Sequence, residues 1–336
     1  MAEPAARPAD VGEALERAAR VLRGARAVAL ACHVNPDADA LGSMLGLALV
    51  LRARGVEVVA SYGNEPLEPP RWAAALPGAE LIVDHRRFPR APAVMVTFDC
   101  ASIDRLGPLA GPARRAAELI WIDHHASNGG VGTIAVIDPR ASSTAELVYR
   151  LVRRMGGPVP PEAAACLYAG LVTDTGRFQY EATTPETLRL AAELREHPFD
   201  HARLAQALYE DNRFAYLRLL GLALQRAVLE PDAELVWTYL TQADLQEAGV
   251  AAFETDDLID VLRTAREADV AAVVKQQRDG RFKVSLRSRG GHDLSRVAAS
   301  FGGGGHRLAA GYTSRHGPVE TVERLKRALR GEPVEP

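Results

Sequence analysis

Asp123-His124-His125 closes an apolar run, Leu119 to Ile122, and two adjacent imidazoles beside a carboxylate need specific partners that packing alone does not supply. Three further acidic sites follow apolar runs in the same manner. His33-Val34-Asn35-Pro36-Asp37-Ala38-Asp39 comes after Ala27 to Cys32, Asp99 after Val94 to Phe98, and Asp174 after Ala169 to Thr173. Where such runs are parallel strands of an open α/β sheet, their ends converge on one crevice. Aspartates and histidines gathered there would repel one another or lose solvation unless cations neutralise them. The expected chemistry is that of a metal cluster.

Taken singly, each motif has a plainer reading. Asn, Pro and Asp form turns, and Asp39 can cap a helix, so His33 to Asp39 alone leaves the ligand and turn readings even. Asp99 can cap a loop ahead of Ser102, and Asp174 can be a turn residue in Thr173-Asp174-Thr175-Gly176-Arg177-Phe178. Asp84-His85 follows Leu81-Ile82-Val83 but continues into Arg86-Arg87 rather than a second His, and is set aside as a look-alike. A second group lies near the C terminus, with Arg287 and Arg289 followed by Phe301-Gly302-Gly303-Gly304-Gly305-His306. Consecutive glycines let the backbone approach a ligand and turn amides inward around an anion. The run passes at once into an apolar strand-like pattern, which disfavours a flexible linker. The amides of Gly303, Gly304 and Gly305, with Arg287, Arg289 and His306, are expected to hold a terminal phosphate, a surface salt bridge being the stronger alternative for Arg289.

The elements that must position these residues alternate strand and helix. Arg26 to Cys32, Val56 to Tyr62, Ala79 to Val83, Val94 to Phe98, Leu119 to Ile122 and Thr133 to Ile137 read as strands. Leu41 to Arg54, ended by Gly55, reads as a helix, with shorter ones near Arg71 to Leu76 and Ile103 to Ala110. Such alternation predicts an α/β fold with a mostly parallel sheet covered on both faces. Ser142-Ser143-Thr144-Ala145-Glu146 resembles a capping box opening a helix to about Met155, and a helical hairpin to Val172 follows. Thr184 to Leu229 reads as wholly helical. Beyond it, strands at Leu235 to Leu240, Val270 to Gln276 and Arg281 to Arg287, a hairpin turn at Arg278-Asp279-Gly280, and helices near Asp256 to Ala268, Asp293 to Ser300 and Val319 to Leu329 predict a smaller mixed α/β unit. The expected organisation is a first α/β domain over 10–190, a helical linker over 191–229 and a smaller second domain over 230–332.

With 336 residues, 47% apolar and 25% charged, the chain suits about two soluble globular domains. A net charge of -3 disfavours long nucleic acid held mainly by phosphate neutralisation, but leaves room for a small anion in a local cationic pocket. Cys32, Cys100 and Cys166 form no Cys-x-x-Cys pair, which argues for packed thiols over a disulfide frame or a structural zinc site. The opening residues lack the basic start and apolar core of a secretory signal. The apolar stretch from Leu41 to Leu51 is interrupted by Gly42, Ser43 and Gly46 and is too short to span a bilayer. The expected location is cytoplasmic, with no membrane partner.

The motif series, in this order and approximate spacing, resembles that of the DHH phosphoesterase superfamily. Val284 to Gly311 resembles the DHHA1 domain that follows the catalytic domain in one of its branches. Together the two cover nearly the whole chain. The resemblance implies two divalent ions, usually Mn2+, with Mg2+ or another divalent ion as the alternative. It implies His33, Asp37 and Asp99 on one ion and Asp39, Asp99, His124 and Asp174 on the other, with Asp99 shared. Mixed carboxylate and imidazole donors without thiolate suit manganese better than calcium. Asp123 would orient the ligands from behind, and His125 would face the substrate phosphate. Related pyrophosphatases carry a different second domain, RecJ exonucleases add further domains, and the membrane-bound cyclic dinucleotide phosphodiesterases add transmembrane segments. What remains is the nanoRNase branch.

The resemblance therefore implies a two-metal phosphodiesterase and phosphatase acting on short oligoribonucleotides, on linear or cyclic dinucleotides such as pApA, and on 3'-phosphoadenosine 5'-phosphate (pAp). Rival readings are a phosphodiesterase dedicated to cyclic di-AMP or pApA, a RecJ-type exonuclease for short single-stranded DNA, and a non-enzymatic nucleotide-binding protein. The intact ligand set weighs against the last. Oligomeric state is left open, a homodimer included.

Overall fold

The computed structural model describes residues 10–126, 128–305 and 307–334. The chain divides into two compact units, 1–211 and 212–336. In the first, the elements are α1 (Val11–Gly24), β1 (Ala27–Cys32), α2 (Ala38–Ala53), β2 (Glu57–Tyr62), β3 (Val94–Phe98), α3 (Ala110–Arg115), β4 (Glu118–Asp123) and β5 (Ile134–Ile137). Four helices complete it: α4 (Thr144–Met155), α5 (Pro161–Asp174), α6 (Pro185–Arg195) and α7 (His201–Tyr209). The strands form one parallel sheet in the order β2-β1-β3-β4-β5, as the alternation predicts. Strands this apolar are stable only when covered on both faces. One face of the sheet packs on α1, α2 and α4 through Leu30, Phe98, Ile120 and Ile122, with α5 against α2 and α4, and the other packs through Ala29, Met95 and Trp121.

The strand order reverses between β1 and β3, which creates a crevice at their carboxyl ends. Register brings the ends level, since Cys32 pairs with Phe98 and Phe98 with Ile122. The loops carrying His33, Asp99 and His124 therefore leave the sheet side by side. Helices α2 and α5 close over it at small residues. A Cβ on Gly42 would stand 2.4 Å from the Cys166 carbonyl oxygen, and one on Gly46 would stand 2.7 Å from the Leu167 side chain. Cys32, Cys100 and Cys166 are buried free thiols. Among the described residues no helix is long and apolar enough to cross a membrane.

The second unit contains α8 (Phe214–Gln225), β6 (Val228–Glu230), β7 (Leu235–Leu240), α9 (Gln242–Ala248), α10 (Leu258–Leu262), β8 (Val270–Gln276), β9 (Phe282–Ser288), α11 (Leu294–Ala299), β10 (Gly304–Gly305), β11 (Ala309–Ser314) and α12 (Pro318–Leu329). Its mixed sheet runs β10-β11-β9-β8-β7-β6, with only β7 and β8 parallel. The turn at Arg278-Asp279-Gly280 joins β8 to β9 and is closed by the Gln277 amide donating to the Arg281 carbonyl at 2.7 Å.

Several elements differ from the sequence reading. Ala79 to Val83 is not a strand. A single 3-10 turn, Ala79–Leu81, follows Gly78 at φ 83°, and only Ile82 bridges to Ala60 at the sheet edge. The run before Asp174 is the last turns of α5 and not a strand end. Five apolar residues fit either period, and Pro161 at the start of α5 commits the segment to helix. Thr184 to Leu229 is interrupted near Pro198 and Asn212, and its last residues form β6, paired antiparallel with β7. Between Asp256 and Ala268 only Leu258–Leu262 is α-helical.

Candidate metal centre

Five segments of the first unit deliver one cluster. His33 follows β1, Asp37 caps α2, Asp39 lies in its first turn, and Asp99 follows β3. Asp123 ends β4, His124 and His125 come next, and Asp174 ends α5. The turn reading of Asp37 does not take it out of the cluster. One oxygen accepts the Ala40 amide at 2.9 Å, and the other lies 3.8 Å from His33 Nε2. Asp99, 4% exposed, stands at the centre, 3.5 Å from His33 Nε2, 3.6 Å from His124 Nε2 and 3.6 Å from His125 Nδ1. His124 Nε2 also lies 3.2 Å from Asp174.

The rings are aimed by backbone carbonyls. His33 Nδ1 donates to the Val34 carbonyl at 2.9 Å and His124 Nδ1 to that of Ala141 at 3.2 Å, so both turn Nε2 toward the carboxylates. Such outer partners fix the tautomer that a cation needs. Buried Asp123 holds His125 Nδ1 at 2.6 Å and accepts from Asn128 Nδ2 at 2.6 Å. Among the described residues, four of the five non-glycine residues with left-handed φ lie in loops flanking the cluster: Asn35, Asp99, Arg177 and Phe178. Such conformations cost about 1–3 kcal/mol each and persist where the surroundings over-determine them.

Electrostatics divide the carboxyls. Burial pushes Asp39 and Asp174 well above the usual carboxylate range, and the charge of Asp99 adds to both. Burial acts the same way on Asp99, but the hydrogen bond from His33 and the charges of His125 and His124 outweigh it and hold this carboxyl well below that range. Burial lowers all three histidines, and the carboxylates more than offset it, leaving each raised. A cluster that keeps protons on some carboxylates to relieve repulsion exchanges them readily for cations. The donors fit that exchange. In three sets, His33-Asp37-Asp99, Asp39-His124-Asp174 and Asp99-His124-His125, the ligand-type atoms lie within 4.8 Å of one another.

Three residues at this site carried no metal-binding signal in the sequence. Thr144 donates its hydroxyl to Asp99 at 2.9 Å and its amide to Asp39 at 2.6 Å, and the Ala145 amide gives Asp39 a further bond at 2.9 Å. The helix start read from Ser142 to Glu146 is thus an anion-holding end. Its cap differs from a standard box, since Ser143 takes the Glu146 amide while the Glu146 carboxylate reaches back to the Ser142 amide at 2.9 Å. Asn128 steadies Asp123, and the Arg105 guanidinium lies 3.2 Å from His33 Nδ1. The look-alike His85 lies 3.3 Å from Glu65, apart from the three donor sets.

In the second unit, Arg287 pairs across the sheet with Ala309, next to the pairs Gly305 with Ala310 and Gly304 with Gly311. The close approach made by the glycine run is to β11. A Cβ on Gly303 would stand 2.2 Å from the Gly311 carbonyl oxygen and one on Gly305 2.5 Å from that of Ala309, whereas Gly304 faces open space. Arg287 Nε is 3.9 Å from Asp260, and Arg289 donates to the Ala265 carbonyl. His306 lies outside the described residues.

The N-terminal domain of the DHH family matches residues 27–171 and the DHHA1 domain matches 236–332. The chain is 35% identical over 324 residues to the bifunctional oligoribonuclease and PAP phosphatase NrnA of Thermus thermophilus, covering 95% of this chain and 94% of that one. It is 30% identical to the protein of the same name from Bacillus subtilis, covering 83% and 86%. An exopolyphosphatase-related protein from Bacteroides fragilis superposes with a TM-score of 0.88 at 26% identity, covering 95% and 96%. RecJ of Thermus thermophilus, solved with Mn2+, gives a TM-score of 0.57 at 17% identity, covers 99% of this chain and 57% of its own, and so shares the fold.

Proposed function

We infer the function of this chain from its family: it belongs to the DHH family, carries a DHHA1 domain behind the DHH domain, and is a hydrolytic phosphoesterase. Our reading is a manganese-dependent cytoplasmic enzyme that degrades short oligoribonucleotides, including pApA-type dinucleotides, and dephosphorylates pAp. The observation that carries it is the convergence of His33, Asp37 and Asp99 into one donor set and of Asp39, His124 and Asp174 into another, each within 4.8 Å, with a third set of Asp99, His124 and His125 linking the two.

In this reading His33, Asp37 and Asp99 would hold one divalent ion, and Asp39, Asp99, His124 and Asp174 a second. When bound, two such ions supply Lewis acidity to a phosphoryl oxygen and acidify a water as nucleophile. The chain does the positioning. Asp123 holds His125 through Nδ1, so a substrate phosphate is met by Nε2 on a ring that cannot swing away. The carbonyls of Val34 and Ala141 keep His33 and His124 in the required tautomer. In the second unit, Arg287, Gly303, Gly304, Gly305 and His306 would bind the substrate's terminal phosphate, and domain limits of 10–190, 191–229 and 230–332 are proposed on the same grounds.

A substrate panel with Mn2+ tests the proposal. Turnover of pAp and of pApA well above that of long RNA, single-stranded DNA and cyclic di-AMP is expected. Efficient hydrolysis of long single-stranded DNA, or of cyclic di-AMP alone, would replace it with one of the rival readings.

A further inference from the structure

We propose that Arg105 is a specificity-determining residue of the metal centre: its guanidinium takes oxygens of the scissile phosphate and favours a monoester over a diester. The proposal rests on the phosphoesterase reading above and adds a substrate contact outside the donor sets. Arg105 lies in the 3-10 helix Ile103–Leu109, which follows Asp99. That helix is fastened to the loop carrying His33. The Arg105 carbonyl accepts the Val34 amide at 2.9 Å, and a Cβ on Gly107, at φ 55°, would stand 2.8 Å from the Val34 side chain. A Cβ on Gly63 would stand 2.6 Å from the Leu106 carbonyl oxygen and 3.1 Å from the Val34 side chain. Glycines at these two points let the segments close on one another, so backbone packing fixes where Arg105 stands.

The charge at the end of the side chain is left over. Nη2 lies 3.2 Å from His33 Nδ1. That nitrogen already donates to the Val34 carbonyl at 2.9 Å, so it has no lone pair for a second donor and the contact is not a hydrogen bond. Among the described residues Arg105 forms no ion pair and no other side-chain hydrogen bond. The neighbouring carboxylate, Asp104, is 3.5 Å from Arg114. Arg105 is thus an exposed guanidinium beside a carboxylate-rich cluster and bonded to none of its carboxylates. Its planar fork of donors is kept for an incoming anion.

Phosphate oxygens match that fork two at a time. The esters differ in what they offer it. A phosphodiester has two non-bridging oxygens and a single negative charge, whereas a monoester has three and carries about 1.5 to 2 charges at pH 7. Some of these oxygens would lie on the divalent ions of the proposed reading. The oxygen and charge that remain are greater on the monoester, so Arg105 contributes more to its binding. Of the proposed substrates, pAp and pApA both carry a 5'-phosphate and differ at the scissile phosphorus, which isolates the effect.

Isothermal titration of inorganic phosphate into the Mn2+-loaded full chain reads the contact without turnover. Arg105→Gln deletes the charge of an exposed side chain and keeps the backbone bond to Val34, so the variant folds. Its phosphate affinity should fall at least about 10-fold, as for a lost hydrogen bond to a charged group, and Arg105→Lys, which keeps the charge without the fork, should fall between. Mn2+ uptake, followed by electron paramagnetic resonance, should be the same in all three proteins, which separates a substrate contact from a residue that only steadies His33. Arg105→Gln should also lower kcat/KM for pAp at least about 10-fold more than for pApA. No phosphate binding, undiminished affinity in Arg105→Gln, weaker Mn2+ uptake, or equal loss on the two substrates overturns the proposal. Failure of the unmodified protein to hydrolyse either substrate would instead sink the substrate reading, and the phosphate titration still decides the role of Arg105.

Discussion

Replacing Thr144 by Val tests whether the start of α4 is part of the metal centre or only a helix start. Valine has nearly the shape of threonine, so the substitution deletes one hydroxyl and leaves the amides of residues 144 and 145 on Asp39. The lost bond, 2.9 Å to a carboxylate with both residues buried, is charge-assisted. Hydrogen bonds to charged groups are worth about 1.5–3 kcal/mol, and each 1.4 kcal/mol is roughly tenfold in affinity. Mn2+ binding should therefore weaken by about 10- to 100-fold, the range found when outer partners of metal ligands are removed. Electron paramagnetic resonance of free Mn2+ during a titration reads this directly, without reference to turnover. Thr144→Ser keeps the hydroxyl and should bind as the unmodified protein does. A folded Thr144→Val protein that takes up two ions at undiminished affinity would refute the reasoning.

Four other outcomes are expected. Asp99→Ala should lose metal and turnover together while its circular dichroism stays native; full activity with two ions bound would remove Asp99 from the shared position. His124→Ala should lower metal content and turnover alike, whereas His125→Ala should lower turnover more than metal content, and loss of an ion from the latter would reverse the pair. Gly170→Ala places a methyl 2.7 Å from an Asp39 oxygen and 2.9 Å from the Ala145 Cβ, so it should reduce Mn2+ affinity and cost about 1–3 kcal/mol of stability; unchanged melting and uptake would contradict the packing. Asp244 is lowered from 3.8 to about 2, first by the hydrogen bond from Arg226 and against burial, so its stabilisation, of order 2 kcal/mol, is complete above about pH 4 and lost as pH falls toward 2. Urea unfolding of Asp244→Asn over that range should show a shallower pH dependence, and an identical profile would count against it.

The legible parts of the sequence share a property: residue type and local period decide them together. β1, β3 and β4 are continuous apolar runs that end in His33, Asp99 and Asp123, and parallel strands bring such ends level whatever the connecting loops do. Asp174 fits the same pattern by coincidence. Ala169 to Thr173 is apolar enough for a strand, yet the segment is helical, and the carboxylate reaches the cluster from α5 because Gly42 and Gly46 let that helix approach α2. That approach is a tertiary fact with no short-range sign. Thr144 was hidden for a different reason. Ser-Ser-Thr-Ala-Glu announces a helix start, and nothing local says what lies in front of it. Arg105 follows Asp99 by six residues in the short 3-10 helix Ile103–Leu109, and a segment so short gives no sign of which face meets His33.

The two inner carboxylates, Asp39 and Asp99, are held by opposite means, and this bears on how the proposed site would take up cations. Asp39 accepts the first amides of α4 on both oxygens, so its anion is met by a helix end whose partial positive charge is fixed in place. Asp99 is met by imidazoles, whose positive charge depends on a proton. The amides cannot leave and the protons can. In the proposed reading His33 and His124 would hold divalent ions, whose charge would stand in for those protons beside Asp99. Asp99 then requires a partner that stays with it as its surroundings change, and the Thr144 hydroxyl at 2.9 Å is the neutral donor so placed. The centre thus pairs a fixed dipole at Asp39 with an exchangeable charge at Asp99, the carboxylate common to two of its donor sets.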